Sequence, residues 1–583
     1  MKEVFHIHIF LNQKNKAAIE VDCEKIYCTN PFGGKSKELI EYIDLFSKIT
    51  YEHRSSLKYM ISDTLTRIED RTYLLDKLTK YIEIISLIEN NNQNITIKNM
   101  DWTLYKALVK FLKSNKIDFK ASQLKSFLFT SESLVKFFFK VALSILLDII
   151  LIIVSKLLYS MPRKRDYDYA FLSFYDNRCN HNGVYRDAYF HPLVEYLLNK
   201  ENDVMIFSTL IFEDSPWHFY KYISNIKKML KDIKHIEKKC EVKIHNRFMT
   251  IGSLLKAYLK GITGFIQLKE NIIYRGCEIS NIINFSLLED YFRCDWKYAW
   301  KQYYFAKSIF ADFKIGRIIY PYENHPWEKL LVSARNNTKN KTELIGFQHS
   351  SFSLKILQYF PGKHEKILSI YPDKILTVGD ILRDVMNEFG SYKNGLVESG
   401  CALRHEYLFK EIKMGGGDGL SRKIAYAFSS DTKTYSRIIN ILIKAFQDTE
   451  YTVFLKIHPI VSTKAVIKMP PPHNIVPAKH MQWNELFEQI DLLLYDDNSI
   501  GIEALKYGVD VVYSGLSGLI YNCDRMFKYN GDKLTVNSLE DLKSFISDYY
   551  SGKIKTNFNP LYNQEYLHQY FLPITSERMD KFL

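Results

Sequence analysis

The most apolar part of the chain lies near residue 150. Residues 132–159 read ESLVKFFFKVALSILLDIILIIVSKLLY, and from Val141 to Tyr159 only Asp148 and Lys156 clearly interrupt the apolar run. A helix needs about 20 apolar residues to span a bilayer, and an aspartate at its centre costs about 3 kcal/mol. A helix lying in the membrane interface avoids this cost, and a buried core helix is a third interpretation.

Basic residues follow this segment at once, in Pro162-Arg163-Lys164-Arg165. Such side chains bind anionic lipid headgroups. The pattern therefore favours a membrane-associating segment over residues 131–165 that lies in the interface, with spanning and core burial left as alternatives.

From residue 166 onward, short apolar runs alternate with helical patterns, which predicts parallel α/β sheets. The first series of predicted strands is Tyr169–Tyr175, Val204–Ser208, Asn281–Phe285, Arg317–Tyr322, Glu343–Gln348 and Lys374–Val378. After a glycine-rich tract at 414–419, a second series follows: Lys423–Phe428, Thr452–Ile457, Asn474–Val476, Leu492–Tyr495 and Asp510–Tyr513.

The predicted fold class is therefore α/β, with two Rossmann-like, doubly wound domains that face a cleft. We assign 166–370 to the first domain and 371–583 to the second. Residues 1–130 form a separate N-terminal α/β region. Its predicted strands are Phe5–Leu11 and Ile95–Lys98, and its predicted helices include Leu74–Ile88 and Trp102–Leu112.

The composition limits which binding partners are expected. The formal net charge is +13, which suits anionic lipid or a phosphorylated substrate, or reflects only a lysine-rich surface. Arginine-rich tracts, zinc-finger spacings and RNA-binding aromatic motifs are missing from the sequence, so nucleic acid is not expected. The eight cysteines include no CxxC pair, which argues against a disulfide framework or zinc site and suits a reducing cytoplasm.

Ligands of doubly wound sheets bind at the carboxyl ends of the strands. In the second domain, strand Thr452–Ile457 runs into His458 and Pro459. Pro459 ends strand pairing and fixes a turn, so His458 is displayed there and Lys456 adds positive charge. An imidazole and an ammonium group at this edge favour phosphate binding, although a turn histidine bonded to backbone gives the same pattern.

Two neighbouring loops extend this predicted donor site. Asp496-Asp497-Asn498-Ser499 follows the strand Leu492–Tyr495 and precedes a helix through Glu503 that ends at Gly508. Asn498 or Ser499 suits the N-cap, the free amides suit an anion, and Glu503 suits a ribose hydroxyl. Ser429 and Ser430 follow the strand Lys423–Phe428. The Asp496-Asp497 spacing is not that of a metal-binding DxD motif, so we expect no metal ion. We also expect no cofactor besides the phosphate-bearing substrate itself.

The first domain offers candidate bases at its strand ends. Glu323 ranks first and His349 second because both follow predicted strands, and Asp187 is a weaker candidate. Each also suits a structural role, Glu323 as a cap of the following helix and His349 as a lining residue. The candidates for binding an acceptor are Asp176, Asn177, Asn324 and Gln348.

Five segments carry a family resemblance: YENHPWEKLL (322–331), IGFQHSSFS (345–353), PDKILTVGDILRDVM (372–386), FLKIHP (454–459) and DDNSIGIEALKYG (496–508). In this order they resemble bacterial surface-carbohydrate and capsule biosynthesis glycosyltransferases of the GT-B type, and are similar to sialyltransferases and Kdo transferases. The resemblance implies that His458 and Pro459 contact the donor phosphate and that Ser499 lies in the supporting loop. Those sialyltransferases carry an acidic motif that has no copy here, and Glu323 is the expected substitute.

The resemblance implies a metal-independent sugar transfer from a nucleotide-sugar, including a CMP-sugar of an acidic sugar. The acceptor would be a glycan or a lipid-linked sugar, at the cytoplasmic face of the bacterial inner membrane. The alternatives are a polyol-phosphate transferase or sugar-nucleotide epimerase of the same fold, or a non-catalytic scaffold of a polysaccharide assembly complex.

Overall fold

The computed structural model of the chain describes residues 5–11, 18–23, 36–91, 93–121, 123–158, 160–162, 164–175, 177–181, 184–210, 240–410, 421–459, 461–462, 471–519, 521–529, 534–554 and 560–583. It contains three main sheets: one in the N-terminal region and one in each of the two following domains. The predicted α/β class with two Rossmann-like domains is confirmed.

The N-terminal region is built on a four-stranded sheet. Its strands are Phe5–Ile9, Ala18–Asp22, Asn94–Met100 and Phe119–Ala121, and their spatial order is second, third, first, fourth. The helices are Ser36–Glu52, Asp63–Thr66, Glu69–Thr72, Leu74–Asn90 and Trp102–Ser114, with a 3-10 turn at Leu57–Ile61. Leu78, Ile85 and Leu108 lie in the core, as the helical spacing of apolar residues predicts.

The apolar segment forms part of a 36-residue helix, Gln123–Leu158. Its portion Leu134–Leu158 is long and apolar enough to cross a membrane, by length and composition. Asp148 is buried against protein, where its carboxylate accepts hydrogen bonds from the Tyr258 hydroxyl at 2.7 Å and from Lys301 Nζ at 2.9 and 3.0 Å. One face of the helix packs on the first domain, while large apolar side chains elsewhere on it are exposed: Val135, Phe138, Leu146 and Leu157.

The first domain contains seven parallel strands. In spatial order they are Val397–Ser399, Lys374–Thr377, Glu343–Gln348, Lys314–Pro321, Asp166–Tyr175, Val204–Leu210 and Glu241–Ile244. The longer helices of this domain are His191–Asn199, Ile251–Ile262, Ser280–Arg293, Trp296–Asp312, Pro326–Thr338 and Asp380–Phe389. Because Lys374–Thr377 and Val397–Ser399 complete this sheet, it continues past residue 370, where the sequence placed the domain boundary.

One predicted strand is wrong. Asn281–Phe285 lies inside the helix Ser280–Arg293, which buries Ile282, Ile283 and Leu287. A short apolar run does not distinguish a strand from a buried helix by periodicity alone.

The second domain contains six parallel strands. In spatial order they are Ile475–Pro477, Thr452–Lys456, Lys423–Ala427, Leu492–Tyr495, Asp510–Ser514 and Leu534–Val536. Its helices are Tyr435–Phe446, Trp483–Phe487, Ile500–Ala504 and Leu539–Tyr550. All five strands predicted for this domain are present, within one or two residues of their predicted bounds.

The C-terminal helices, Pro560–Tyr570 and Ser576–Asp580, return to the first domain. Leu572 N–H donates to the Val378 carbonyl at 2.8 Å, and the Phe582 and Phe347 ring centroids lie 5.6 Å apart. The chain therefore passes between the two domains twice.

Candidate functional site

The loops at the carboxyl ends of the two large sheets meet. Arg525, in a loop of the second domain, donates through Nη1 to the Ser351 carbonyl at 2.7 Å and to its hydroxyl at 2.9 Å. Arg525 Nε also donates to Asp497 Oδ1 at 3.0 Å. Ser353 Oγ donates to the same oxygen of Asp497 at 3.3 Å. The cleft expected from the doubly wound sheets is thus a real contact zone lined by charged side chains.

A buried lysine lies at the centre of this zone. Lys355 Nζ is 2.9 Å from Asp70 Oδ1, 3.3 Å from Asp431 Oδ2 and 3.8 Å from Asp497 Oδ2. Burial alone would lower the pKa of Lys355, but the negative charges around it, with Asp70 the largest, raise this pKa well above its usual value. Because Asp70 belongs to the N-terminal region, all three parts of the fold meet at this lysine.

Glu323 lies at the carboxyl edge of the first sheet between two imidazoles. His325 Nε2 is 2.7 Å from Glu323 Oε2, and His349 Nε2 is 3.4 Å from Glu323 Oε1. Arg404 Nη1 donates to His349 Nδ1 at 3.0 Å. Because Nδ1 of His349 accepts this bond, its Nε2 carries the proton and faces the Glu323 carboxylate.

The surrounding charges determine the protonation states of Glu323 and His349. Burial would raise the pKa of Glu323, but the hydrogen bond and charge of His325, with His349 and Arg404, lower it to about 2. Burial and the Arg404 charge lower the pKa of His349 to about 3. At neutral pH this edge therefore presents the Glu323 carboxylate, hydrogen-bonded to His325, with the neutral imidazole of His349 3.4 Å away.

The backbone at Glu323 is fixed by Glu328. The Glu328 carboxylate accepts the backbone N–H of Glu323 at 3.1 and 3.2 Å and that of Asn324 at 2.8 Å. Glu328 thus fixes the turn before the helix Pro326–Thr338, whose N-cap residue His325 makes no side-chain capping bond, so the structure does not show Glu323 as the cap. Asn324 is buried and donates through Nδ2 to the Gln358 carbonyl at 2.6 Å, so it supports the loop instead of facing an acceptor.

Other first-domain candidates also have structural partners. Asp187 Oδ1 accepts the backbone N–H groups of Tyr189 and Phe190 at 2.8 and 2.9 Å, and Oδ2 accepts the Tyr185 hydroxyl at 2.9 Å. Both oxygens are therefore engaged next to the helix His191–Asn199, where Asp187 orders the turn, and its weaker candidacy as a base stays a prediction.

Gln348 is fully buried, and its Nε2 donates to the Ser350 carbonyl within its own loop, so it does not contact an acceptor. Asp176 lies outside the described residues, and so does the side chain of Asn177.

His458 occupies the predicted position at the end of the strand Thr452–Lys456. It is half-buried, and burial together with the charges of Arg525 and Lys479 lowers its pKa, so the ring is neutral at neutral pH. Pro459 is exposed in the turn that follows. The imidazole and the Arg525 guanidinium thus share one edge of the cleft.

Lys456 does not join them. Its ammonium group donates to the backbone carbonyls of Ala478 at 3.3 Å, Lys479 at 3.1 Å and Met481. These bonds fix the 478–481 loop, and they correct the expectation that Lys456 contributes to phosphate binding.

The loop after Leu492–Tyr495 is organised by its own hydrogen bonds. Asn498 Nδ2 donates to the Ala427 carbonyl at 2.8 Å and its Oδ1 accepts the Ile500 N–H at 3.2 Å. Ser499 Oγ donates to Glu503 Oε1 at 2.7 Å. The α-helix Ile500–Ala504 has only five residues, so its dipole is too small to support the predicted anion site.

Asp496 and Glu503 place two further carboxyl groups at the second-sheet edge. Asp496 is buried, and burial together with the Asp497 charge raises its pKa to about 7. The Glu503 carboxylate also accepts a bond from the Tyr407 hydroxyl of the first domain, so it lies where the domains meet.

Ser429 is buried, and its Oγ accepts the Asp431 N–H at 3.2 Å, whereas Ser430 is exposed. Ser429 therefore shapes the Asp431 turn.

Three cations of this site escaped the sequence analysis: Lys355, Arg404 and Arg525. Each lies in a long loop several residues beyond a strand end, where the rule of strand ends does not reach. Among the residues that the structure describes, there is no group of three or more His, Cys, Asp or Glu placed to hold a metal ion.

No protein-family model and no curated protein sequence matches the chain. Among solved structures, it is similar to the glycosyltransferase of kitacinnamycin, with 12% identity, 70% of this chain and 95% of that chain covered, and a TM-score of 0.36. It is also similar to the UDP-GlcNAc 2-epimerase from Methanocaldococcus jannaschii, with 10% identity, coverages of 69% and 98%, and a TM-score of 0.36. For Anabaena Alr3699/HepE in complex with UDP and glucose, the values are 10%, 70%, 95% and 0.33. At these TM-scores the similarities carry no conclusion about this chain.

Proposed function

We propose that this chain is a glycosyltransferase that moves a sugar from a nucleotide-sugar to an acceptor hydroxyl bound near Glu323. One observation carries the proposal. The loop after Glu343–Gln348 holds His349 against Glu323 and, two residues later, Ser351 against Arg525. A proton-accepting edge and a cationic edge thus meet on one short loop, as transfer from a phosphate leaving group requires.

In the proposed step, the acceptor oxygen forms a bond to the anomeric carbon of the donor sugar. The bond from that carbon to the phosphate oxygen breaks, and the nucleotide leaves with the electron pair. With its low pKa, Glu323 is a weak base, so it takes the hydroxyl proton only as the new bond forms and the attacking oxygen becomes strongly acidic. His325 and His349 orient the Glu323 carboxylate, and domain closure excludes water from the donor.

The nucleotide phosphate would lie against Arg525 and His458. Arg525 supplies charge, and it would exchange its present bonds to Ser351 and Asp497 for bonds to phosphate oxygens. His458 is neutral, so it contributes a hydrogen bond and not a charge. An acidic sugar carried by CMP, and a role in capsule or O-antigen assembly, are the finer parts of this proposal and rest on the motif resemblance alone.

We further propose that the protein lies on the cytoplasmic face of the bacterial inner membrane and uses a glycan or lipid-linked acceptor. Asp148 is paired inside the protein, so the apolar helix has one face committed to the first domain and the other free for lipid. The neighbouring helix Ile251–Ile262 also exposes Leu255 and Leu259 beside exposed Lys256 and Lys260. An apolar surface flanked by lysines suits an interfacial contact with anionic lipid.

Calorimetric titration with CMP, UDP, GDP and CDP tests the donor site. We expect one of them to bind, and we expect nucleotide release from its sugar conjugate to require an acceptor. Conversion of the sugar-nucleotide into its epimer without an acceptor would point to an epimerase, and intact polymer production in cells carrying both Glu323→Ala and His458→Ala would point to a scaffold. A response to CMP would support the acidic-sugar donor, and a response to UDP or GDP alone would exclude it.

Vesicle sedimentation tests the membrane surface. Replacing Leu255 and Leu259 by glutamine should weaken binding to vesicles that contain anionic lipid by about tenfold, because apolar area is lost from the contact. Leu561→Gln is the matched control, since Leu561 is exposed on the C-terminal helix. Equal binding of all three proteins would contradict the membrane proposal and leave the donor site unaffected.

A further inference from the structure

The N-terminal region reaches into the cleft through the short segment 67–73. Arg67 Nη2 bonds Glu365 Oε2 of the first domain at 2.7 Å, with both side chains fully buried. Glu69 Oε2 accepts the Tyr521 hydroxyl of the second domain at 2.6 Å. The segment is therefore anchored on both sides of the cleft, and Asp70 projects between these two anchors toward Lys355.

Tyr73 strengthens the contact with the second domain. Its hydroxyl donates to the Asp431 carboxylate, and Lys433 Nζ lies 3.2 Å from its ring centroid. Asp431 is one of the three carboxylates around Lys355, so the N-terminal segment contacts this lysine both directly and through Asp431.

The three carboxylates are not equivalent. Asp431 and Asp497 are largely buried and bound to further groups, Asp431 to Tyr73 and Asp497 to Arg525. The Asp70 side chain is 49% exposed, and it makes the shortest contact with Lys355. Asp70 is therefore the partner that an incoming anion can displace at the lowest cost in buried contacts.

We propose that Lys355 is an anion-binding residue of the cleft and that Asp70 is its built-in competitor. Carboxylate oxygens bond the Lys355 ammonium group in the way that phosphate oxygens would. Lys355 also lies between the Asp431 and Asp497 loops, at the second-sheet edge where the nucleotide would bind. The anion would be a phosphate group of the nucleotide-sugar, so this inference rests on the proposed function. Binding of the phosphate replaces Asp70 at Lys355, and Asp70 moves toward solvent.

Two substitutions should act in opposite directions. Asp70→Asn removes the competing charge and should tighten nucleotide binding by about three- to tenfold, whereas Lys355→Met should weaken it by at least about tenfold. Lys355→Arg, which keeps the charge, should lose less affinity than Lys355→Met. Calorimetry on the full chain measures each value, and circular dichroism checks folding. Glu20→Gln, which removes an exposed ion pair with Lys98 in the same region, is the matched control.

Two outcomes separate this inference from the proposed function. If the unmodified protein binds a nucleotide and Asp70→Asn leaves the affinity unchanged or weaker, the competitor role is overturned, whether or not Lys355→Met folds. If none of the four nucleotides binds, the proposed function fails, and inorganic pyrophosphate becomes the probe. Tighter pyrophosphate binding by Asp70→Asn would still support the anion site, and no change would overturn it.

Discussion

The two edges of the cleft hold their charges in different ways. At the first-sheet edge, the Glu323 carboxylate is hydrogen-bonded to His325 and lies 3.4 Å from His349, and both histidines belong to its own domain. At the second-sheet edge, Asp497 and Arg525 bond residues across the cleft, in the loop that contains Ser351. The first arrangement survives any opening of the domains, and the second does not.

Under the proposed function, this difference fits a division of work between a proton-accepting edge and a nucleotide-binding edge. A proton acceptor must keep its orientation throughout a catalytic cycle, and bonds within one domain ensure that. A group that binds a leaving nucleotide must change partners as the nucleotide arrives and departs. Bonds across the cleft provide such exchange, because domain motion breaks and re-forms them.

The largest effect should come from Glu323→Gln. It keeps the shape of the first edge and removes the proton acceptor, so the transfer rate should fall by about 10²- to 10⁴-fold, the usual contribution of a general base. Nucleotide affinity should stay within about twofold, because the second-sheet edge, where the nucleotide would bind, is unchanged. Steady-state transfer assays and calorimetry measure the two quantities. Glu343→Gln, at a partly exposed ion pair with Arg317, is the control. If Glu323→Gln lowered nucleotide affinity as much as it lowered the transfer rate, the division of work would be refuted.

Asp496→Asn should change how stability depends on pH. The pKa of Asp496 is about 7 in the fold and near 3.8 when the chain is unfolded. The protonated form therefore stabilises the fold below about pH 4, and this contribution is lost as the pH rises through about 7. Between about pH 5 and pH 8, the variant should gain about 2–3 kcal/mol over the unmodified protein in free energy of unfolding. Denaturant titrations at both pH values test this, and parallel curves would show that Asp496 stays ionised.

Arg525→Gln should weaken nucleotide binding by about 10- to 100-fold, the scale of a charged hydrogen bond. It should also loosen the domains, because it removes the bonds to Ser351. Small-angle scattering with and without nucleotide reports the opening. If nucleotide affinity were unchanged while the domains opened, Arg525 would only hold the two domains together and would not bind the nucleotide.

Lys456→Met should have the smallest effect on binding. Its ammonium group already bonds three backbone carbonyls, so nucleotide affinity should change by less than about twofold while stability falls by about 1–3 kcal/mol. Calorimetry and thermal unfolding separate the two. A large loss of affinity without a loss of stability would restore Lys456 to the donor site.

The sequence predicted most strands of the two large sheets because buried parallel strands are short, continuous apolar runs, but it missed the edge strands Glu241–Ile244, Val397–Ser399 and Leu534–Val536. It located Glu323, His349 and His458 because each follows a strand directly. It misread Asn281–Phe285 because a short segment with three apolar residues fits a buried helix face equally well.

The partners of those residues were not predictable in the same way. Arg404 and Arg525 reach the cleft from loops whose paths depend on tertiary packing. Asp70 belongs to a region separated from the cleft residues by about half the chain, and no local pattern connects it with Lys355. The role of Lys456 depended on which side of its strand the 478–481 loop would pass.

The return of the C-terminal helices to the first domain constrains every motion considered above. His405, on the outgoing connection, stacks on Phe571 of the returning one, with ring centroids 4.2 Å apart. Two adjacent covalent links permit rotation about one line more readily than free separation. Cutting the chain before Pro560 would remove one link and uncover Val378 and Phe347 of the first sheet at the same time. The last residues of the chain thus belong, in folding terms, to a domain whose strands begin some four hundred residues earlier.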